Sequence, residues 1–223
     1  MVVALSSLAP ARDRCLPVDE AFADLLPEAG LRRGHVIGCS GPAAMSLLLA
    51  LAARSIVAGS WMAVVDVPML GVEAAAEMGI PLARVVRVDV SGGMGAWAER
   101  VAAAADGFDV VVTRPPAGAD RVLRKIRTRL QARGSVLLAV GPTGPGVSCD
   151  IELTTTAVAW TGLEQGSGYL MGRRATVQVA GRRAPRVVTG EFWLPGPDGT
   201  ARPVVPGRSH QHDADRAVLD RAG

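Results

Sequence analysis

Residues 34–57 constrain the fold of this chain more than any other stretch. Their sequence, GHVIGCSGPAAMSLLLALAARSIV, reads as a short buried strand over 36–39, a tight Gly/Pro turn and a long apolar helix. A glycine-rich turn between a strand and a helix is how phosphate-binding loops are built, because backbone N–H groups and the helix N-terminus converge on an anion. The stretch therefore predicts an α/β fold organised around this loop.

The loop has the architecture of a nucleotide site and lacks its chemistry. A working loop follows G-x-x-x-x-G-K-[ST], in which the lysine reaches the β- and γ-phosphates and the hydroxyl holds Mg²⁺. Leu47 stands at the lysine position and Leu48 at the hydroxyl position, and the chain's only lysine is Lys125. We therefore predict a degenerate loop, made of Gly38, Gly41, Pro42, Ser46, Leu47 and Leu48.

Apolar strands alternate with helices as far as residue 140. Further strands are predicted over 61–66, 85–88, 108–113 and 135–140, and helices over 70–78, 96–105 and 119–133. This alternation is typical of βαβ units, whose parallel sheet is covered by helices on both faces. Beyond the breaker cluster GPTGPG, partial alternation over 149–160, 169–180 and 186–194 predicts an antiparallel meander that extends the sheet.

The chain divides into three predicted regions. Residues 1–30 form an N-terminal arm and a short helix, whose apolar face consists of Phe22, Leu25 and Leu26. Residues 31–195 form the core domain. Residues 196–223 are rich in Pro, Gly, charge and His, which predicts a disordered tail. We expect the N-terminal helix to cap its own domain and the tail to dock a partner.

Composition narrows the function classes. The net charge of +3 is too small to require nucleic acid by itself. The apolar run over 45–53 is cut by Arg54, so no stretch reaches membrane-spanning length. Cys15, Cys39 and Cys149 are far apart and odd in number, which predicts reduced thiols in a cytoplasmic protein and no metal site.

Several stretches resemble the RecA-like family. GLRRGHVIGCSGP is similar to the RecA entry into its phosphate loop, and WMAVVD with LGVEAAAEMGIPLARVVRV is similar to the strand and helix that follow. WTGLEQGSGYLMGRRATVQVAGRRA and the closing FWLP resemble the ImuA branch, the short RecA-like protein of bacterial DNA-damage-inducible mutagenesis cassettes, in its divergent high-GC form. The resemblance covers residues 18–195.

The resemblance implies a RecA-like core that acts as a non-catalytic adaptor in error-prone translesion synthesis. Its partner would be ImuB, a catalytically inactive Y-family polymerase homologue, and through ImuB an error-prone C-family polymerase and the sliding clamp. The family's water-activating acid matches Pro68 here, and its Walker-B acid matches Thr113 and Arg114. Without these acids and the lysine, we expect no ATP hydrolysis and no cofactor.

Two alternatives stay open. An enzyme would use the degenerate loop at 38–46 to bind a nucleotide or cofactor, with Asp66 as a ribose-binding acid after its strand, although a helix-capping or loop-anchoring role suits Asp66 better. A SulA-like division inhibitor is another RecA-like protein without a phosphate loop. The missing lysine and acids argue against the enzyme, and partner identity distinguishes the adaptor from the division inhibitor.

Arginine and lysine residues are concentrated on one face of the predicted helix over 119–133. The apolar stripe is Val122, Leu123, Ile126 and Leu130, and the opposite face carries Arg121, Arg124, Lys125, Arg127 and Arg129. Like charges three and four residues apart repel, so the helix either meets an anionic partner or is a solvated arginine face. A second candidate contact is Arg173 with Arg174, in a group with Arg182, Arg183 and Arg186. The loop over 141–148 is short and uncharged, so any DNA binding should be weak.

Overall fold

The computed structural model of the chain describes residues 14–141, 148–164, 167–184 and 186–204. A small antiparallel sheet joins β1 (Cys15–Pro17) to β2 (Gly30–Arg32). The main sheet has nine strands in the order β11-β10-β9-β8-β3-β7-β6-β4-β5. Its strands are β3 (Val36–Ser40), β4 (Met62–Val65), β5 (Val85–Val88), β6 (Val110–Thr113), β7 (Val136–Val140), β8 (Ile151–Glu164), β9 (Ser167–Ala180), β10 (Val188–Trp193) and β11 (Arg202–Pro203).

The helices follow the predicted alternation with the strands. They are α1 (Glu20–Ala23), α2 (Ala44–Val57), α3 (Val72–Glu77), α4 (Gly93–Gly107) and α5 (Asp120–Arg133), with a 3₁₀ turn at Leu82–Arg84. The pairings from β8 through β3, β7, β6 and β4 to β5 are parallel, whereas β8, β9, β10 and β11 pair antiparallel. The predicted α/β class, with a mainly parallel sheet and an antiparallel extension, is confirmed.

The strands β3, β4, β6 and β7 are buried along their whole length because each of them serves two cores, whereas the edge strand β5 is partly exposed. Ile37 and Leu138 belong to the core beneath α1, α2 and α3, whereas Val36 and Leu137 belong to the core beneath α4 and α5. Side chains of a strand alternate between the two faces of its sheet, so a strand covered on both sides must be apolar throughout. This requirement explains the uninterrupted apolar runs in the sequence.

The N-terminal helix packs on its own domain, as predicted. The Asp19 carboxylate accepts a hydrogen bond of 3.0 Å from the Ala21 N–H and caps α1. The ring of Phe22 is fully buried and stacks on Phe192 of β10 at 5.0 Å between centroids. The sequence predicts an irregular arm over residues 1–16. Residues 1–13 lie outside the described residues, and the predicted end of the arm is wrong, because β1 begins at Cys15.

The predicted start of the tail, at residue 196, is wrong, because the folded domain continues past it. The Gly196 N–H donates to the Thr200 carbonyl, and the Val204 N–H donates to the Glu191 carbonyl of β10. Within this segment β11 pairs with β10, so residues 196–204 belong to the sheet. A two-residue strand in a Pro- and Gly-rich stretch has too few side chains to show an alternating pattern. The rest of the predicted tail, 205–223, lies outside the described residues.

Two truncations test where the folded domain ends. Removal of residues 205–223 should leave the melting temperature unchanged, because this stretch is too polar to supply a core. Removal of residues 196–223 should lower the free energy of unfolding by roughly 1–3 kcal/mol, because β11 and the turn before it are lost. Thermal melts of both proteins measure this, and equal melting temperatures would place the domain end before β11.

Candidate functional site

The degenerate loop joins β3 to α2 and is held in a conformation that only glycine tolerates. Gly41 has a φ of +91°, in the left-handed region. A Cβ on Gly41 would lie 2.0 Å from the carbonyl oxygen of Thr155. Both the backbone angle and the close approach of β8 therefore require glycine here.

A threonine from β8 occupies the interior of this loop. The Thr155 hydroxyl accepts a hydrogen bond of 2.9 Å from the Ala43 N–H and donates one of 3.0 Å to the Ser40 carbonyl. Its side chain is buried, with 1% of the residue exposed. In a phosphate-binding loop such an N–H would point at the anion. Here the protein's own hydroxyl satisfies it.

The positions of the lysine and the metal-binding hydroxyl belong to the hydrophobic core. Leu47 and Leu48 are both 0% exposed. Ser46, one turn into α2, accepts a hydrogen bond of 2.5 Å from the Arg173 guanidinium of β9. Gly38 is buried within β3, and Pro42 is exposed at the turn. The sequence prediction did not include Thr155, whose role depends on the pairing of β8 with β3.

The two positions at which the resemblance implies acids hold no carboxylate. The Thr113 hydroxyl, at the end of β6, is buried and accepts a hydrogen bond of 2.8 Å from the Trp97 indole N–H. Pro68 and Arg114 are exposed. Asp66 follows β4 with a φ of +56°, and the residue that caps α3 is Gly71, so the helix-capping interpretation of Asp66 is wrong.

A cavity of about 240 Å³ lies beside the loop, at the carboxyl ends of the parallel strands. Parallel α/β sheets commonly bind ligands at this edge. The lining is mostly apolar and includes Pro42, Met45, Val67, Met69, Arg114 and Val140. Pockets for cofactors and drug-sized ligands usually measure about 300–1,000 Å³, so this one is small for a nucleotide.

The three cysteines lack the properties of nucleophiles. Burial raises the pKa of Cys39 well above its usual range and raises that of Cys149 to about 12. Burial, together with the neighbouring Glu28 carboxylate, raises the pKa of Cys15 to about 11. The thiolate is the reactive form, so these thiols are inert at neutral pH. In the described part of the chain, no group of three or more His, Cys, Asp or Glu side chains could hold a metal ion.

The basic helix α5 is largely neutralised by acids from other elements. Arg129 lies 3.4 Å from Asp106 of α4, and Arg124 lies 3.6 Å from Asp120 in its own first turn. Arg121 and Lys125 are exposed, and no carboxylate among the described residues lies within ion-pair distance of either. The solvated-face interpretation therefore accounts for most of the helix.

The prediction that Arg127 faces outward with the other cations is wrong. Its guanidinium lies 3.2 Å from the Asp150 carboxylate and also donates to the Ser148 carbonyl at 2.8 Å. Both side chains are shielded, with 16% of Arg127 and 7% of Asp150 exposed. The Asp150 carboxylate also accepts a hydrogen bond from the Val36 N–H. Arg127 thus ties α5 to the starts of β8 and β3.

The arginines near the meander lie in two places. Arg173 donates to Ser46 and to the Leu194 carbonyl, and its guanidinium stacks over Trp160 at 5.1 Å. Arg174 forms an ion pair of 3.0 Å with Glu191. Arg182, by contrast, lies 3.5 Å from Asp150 at the opposite end of β8. The predicted single cluster is therefore wrong, and Arg173 and Arg174 form a pair near the hairpin end.

Fold and site together define an α/β protein with a mainly parallel sheet, whose Gly/Pro loop is closed by its own threonine. A family described as the MT3502 N-terminal domain matches residues 24–146, more than half of the chain. The chain belongs to this family. The match runs from the end of α1 through β7, and β8 to β11 lie beyond it.

No curated protein matches the chain. Among the described residues, no helix is long and apolar enough to cross a membrane.

Substitutions at the loop test its closure by Thr155. Replacement of Thr155 with Val should lower the free energy of unfolding by about 1–3 kcal/mol, because the buried Ala43 N–H loses its acceptor. Replacement with Ser keeps the hydroxyl and should cost less. Gly41→Ala should destabilise the fold strongly, whereas Gly95→Ala, where a Cβ meets nothing within 4 Å, should not. Denaturant unfolding measures all four, and an unaffected Thr155→Val protein would disprove the closure.

A matched pair of arginine substitutions tests the electrostatics of α5. Arg127→Met should lower the free energy of unfolding by about 1–3 kcal/mol, because it removes one partner from the shielded Asp150 carboxylate. That carboxylate keeps Arg182 and the Val36 N–H. Arg121→Met, on the exposed face, should change it by less than about 0.5 kcal/mol. Chemical denaturation of the two variants gives both values, and equal losses would contradict the assignment of Arg127 to the interior.

Proposed function

We propose that this protein is a non-catalytic RecA-like adaptor of the ImuA type, which acts in DNA-damage-induced error-prone translesion synthesis. The observation that carries the non-catalytic assignment is the closure of the loop by Thr155, together with Leu47 and Leu48 in the core. The Ala43 N–H is already bonded to Thr155, and the lysine position holds the buried Leu47. Neither group is therefore available to bind the phosphates of a nucleotide.

The layout of the sheet supports a RecA-like origin. The strands β3 to β7 pair in parallel and come first in the chain, and β8, which is parallel to β3, begins the antiparallel extension. β3 with its loop lies in the interior of the sheet between β7 and β8. The proposed partner is ImuB, the inactive Y-family polymerase homologue, which connects the adaptor to an error-prone C-family polymerase and the sliding clamp. A partner of this kind gives a function to a RecA-like domain that does no chemistry.

The enzyme alternative has less support. The cavity beside the loop is small, and among the described residues its single charged lining residue is the exposed Arg114. Phosphoryl transfer needs metal and charge compensation at this edge, and Pro68 and Thr113 offer neither. A SulA-like division inhibitor uses the same fold without a nucleotide, so the partner must distinguish that alternative from the adaptor.

A nucleotide assay tests catalytic silence. The purified protein should not hydrolyse ATP, and Mg-ATP should leave its melting temperature unchanged. A ligand that binds the native state at 100 times its Kd would add about 2.7 kcal/mol to the free energy of unfolding. A clear upward shift of the melting temperature with ATP would therefore contradict the proposal.

Purified partner proteins test the adaptor role. The full chain should bind the Y-family polymerase homologue in titration calorimetry, with no nucleotide in the buffer. A bacterial division protein serves as the control for the SulA-like alternative. Binding to the division protein alone would replace the adaptor role with division inhibition, and binding to neither would remove both.

A further inference from the structure

The end of the β8–β9 hairpin carries an irregularity that exposes three consecutive apolar side chains. In the ladder, Thr161 pairs with Gly172 and Leu163 pairs with Gly168, so Tyr169, Leu170 and Met171 all stand opposite Gly162 alone. The exposed fractions of these three residues are 88%, 53% and 59%. We name residues 169–171 the apolar bulge.

The glycine opposite the bulge makes this geometry possible. Gly162 has a φ of +94°, and a Cβ there would lie 2.2 Å from the Tyr169 carbonyl oxygen and 2.6 Å from the Met171 side chain. An ordinary residue at 162 would push the bulge away. Bulges of this kind re-aim side chains and often lie next to functional sites, so the bulge is a specified feature of the hairpin.

The surroundings of the bulge are aromatic and cationic. Trp160, which is 47% exposed, pairs across the ladder with Arg173. Among the described residues, Arg173 bonds only neutral acceptors, Ser46 and the Leu194 carbonyl, and partial burial lowers its pKa. A positive charge without a carboxylate beside it favours an anionic partner. Trp, Tyr, Met and Arg are also the residues enriched in protein interfaces.

We propose that the apolar bulge, with Trp160 and Arg173 beside it, is the docking surface for a partner protein that offers an apolar groove with carboxylates at its rim. This inference rests on the proposed function and deepens it, because the partner is the Y-family polymerase homologue. The protruding bulge enters the groove, and the carboxylates meet the arginine. Interface energy is concentrated in such buried aromatic and arginine anchors.

Two other occupants fit the surface less well. Single-stranded nucleic acid binds by stacking bases on open aromatic faces, but Arg173 covers a face of Trp160, and Arg174 lies over Trp193 at 5.8 Å. Within the bulge, Tyr169 offers one exposed ring, whereas Leu170 and Met171 offer none, so successive bases would have no row of rings to stack on. A second copy of the chain would pair the same patch with itself and would bring like-charged arginines together.

The test compares two double variants of the full chain by calorimetric titration with the purified Y-family homologue. The first is Tyr169→Thr with Met171→Thr, which removes apolar surface and keeps strand propensity. The control is Val86→Thr with Val187→Thr, which changes exposed apolar residues elsewhere, 37% and 62% exposed. The bulge variant should bind about tenfold or more weakly, the control should bind like the wild type, and all three should melt alike.

Each other outcome overturns a specified statement. A bulge variant that binds the homologue as tightly as the wild type disproves this docking surface and leaves the proposed function intact. A wild-type chain that does not bind the homologue removes the proposed function and this inference with it. If the bulge variant instead loses affinity for a fluorescent oligo-dT strand, with a steep dependence on salt, the surface binds nucleic acid and the protein-docking assignment is wrong.

Discussion

The two hydrogen bonds of the Thr155 hydroxyl are the interaction on which the arrangement of β3, β8 and α2 depends. The hydroxyl joins the end of β3, through the Ser40 carbonyl, to the start of α2, through the Ala43 N–H. It comes from β8, the strand at which the sheet changes from parallel to antiparallel pairing. One buried side chain therefore closes the loop, sets the approach of β8 at Gly41, and fixes the join between the two parts of the sheet. A phosphate would have to displace it.

The parts of the fold that depend on local pattern could be predicted from the sequence. The strands β3, β4, β6 and β7 are short apolar runs because both faces of the sheet are covered. The helix α5 ends at Gly134 because a left-handed residue closes it. The turn between β3 and α2 could be predicted too, since Gly41 and Pro42 separate two apolar runs. The prediction failed where long-range contacts decide. Thr155 is one of three successive threonines in β8, and only the pairing with β3 selects it.

The basic helix shows the same limit for charge. Helical periodicity relates residues three or four apart, and it would have found the contact of Asp120 with Arg124. Arg127 is paired with Asp150, which precedes β8, and Arg129 is paired with Asp106 of α4, so both carboxylates lie outside the helix. Tertiary packing therefore converts an apparently unbalanced cationic face into a set of ion pairs, one of which is shielded from water. Counting charges along one helix overstates the charge that a partner would meet.

The closed loop and the apolar hairpin lie at the same edge of the sheet. Parallel α/β sheets bind ligands beyond the carboxyl ends of their strands, and here Thr155 closes the loop at that edge. β8 runs parallel to β3 and passes it there, since its last pairing with β3 is at Thr154 and the strand continues to Glu164. The hairpin that carries Tyr169, Leu170 and Met171 thus projects from the edge at which a nucleotide would bind.

Arg173 connects the hairpin to the loop, because it stacks on Trp160 of the hairpin and donates to Ser46 of α2. The α/β domain forms a rigid platform at this edge, and a hairpin anchored to that platform can present an apolar surface without the cost of ordering it on binding.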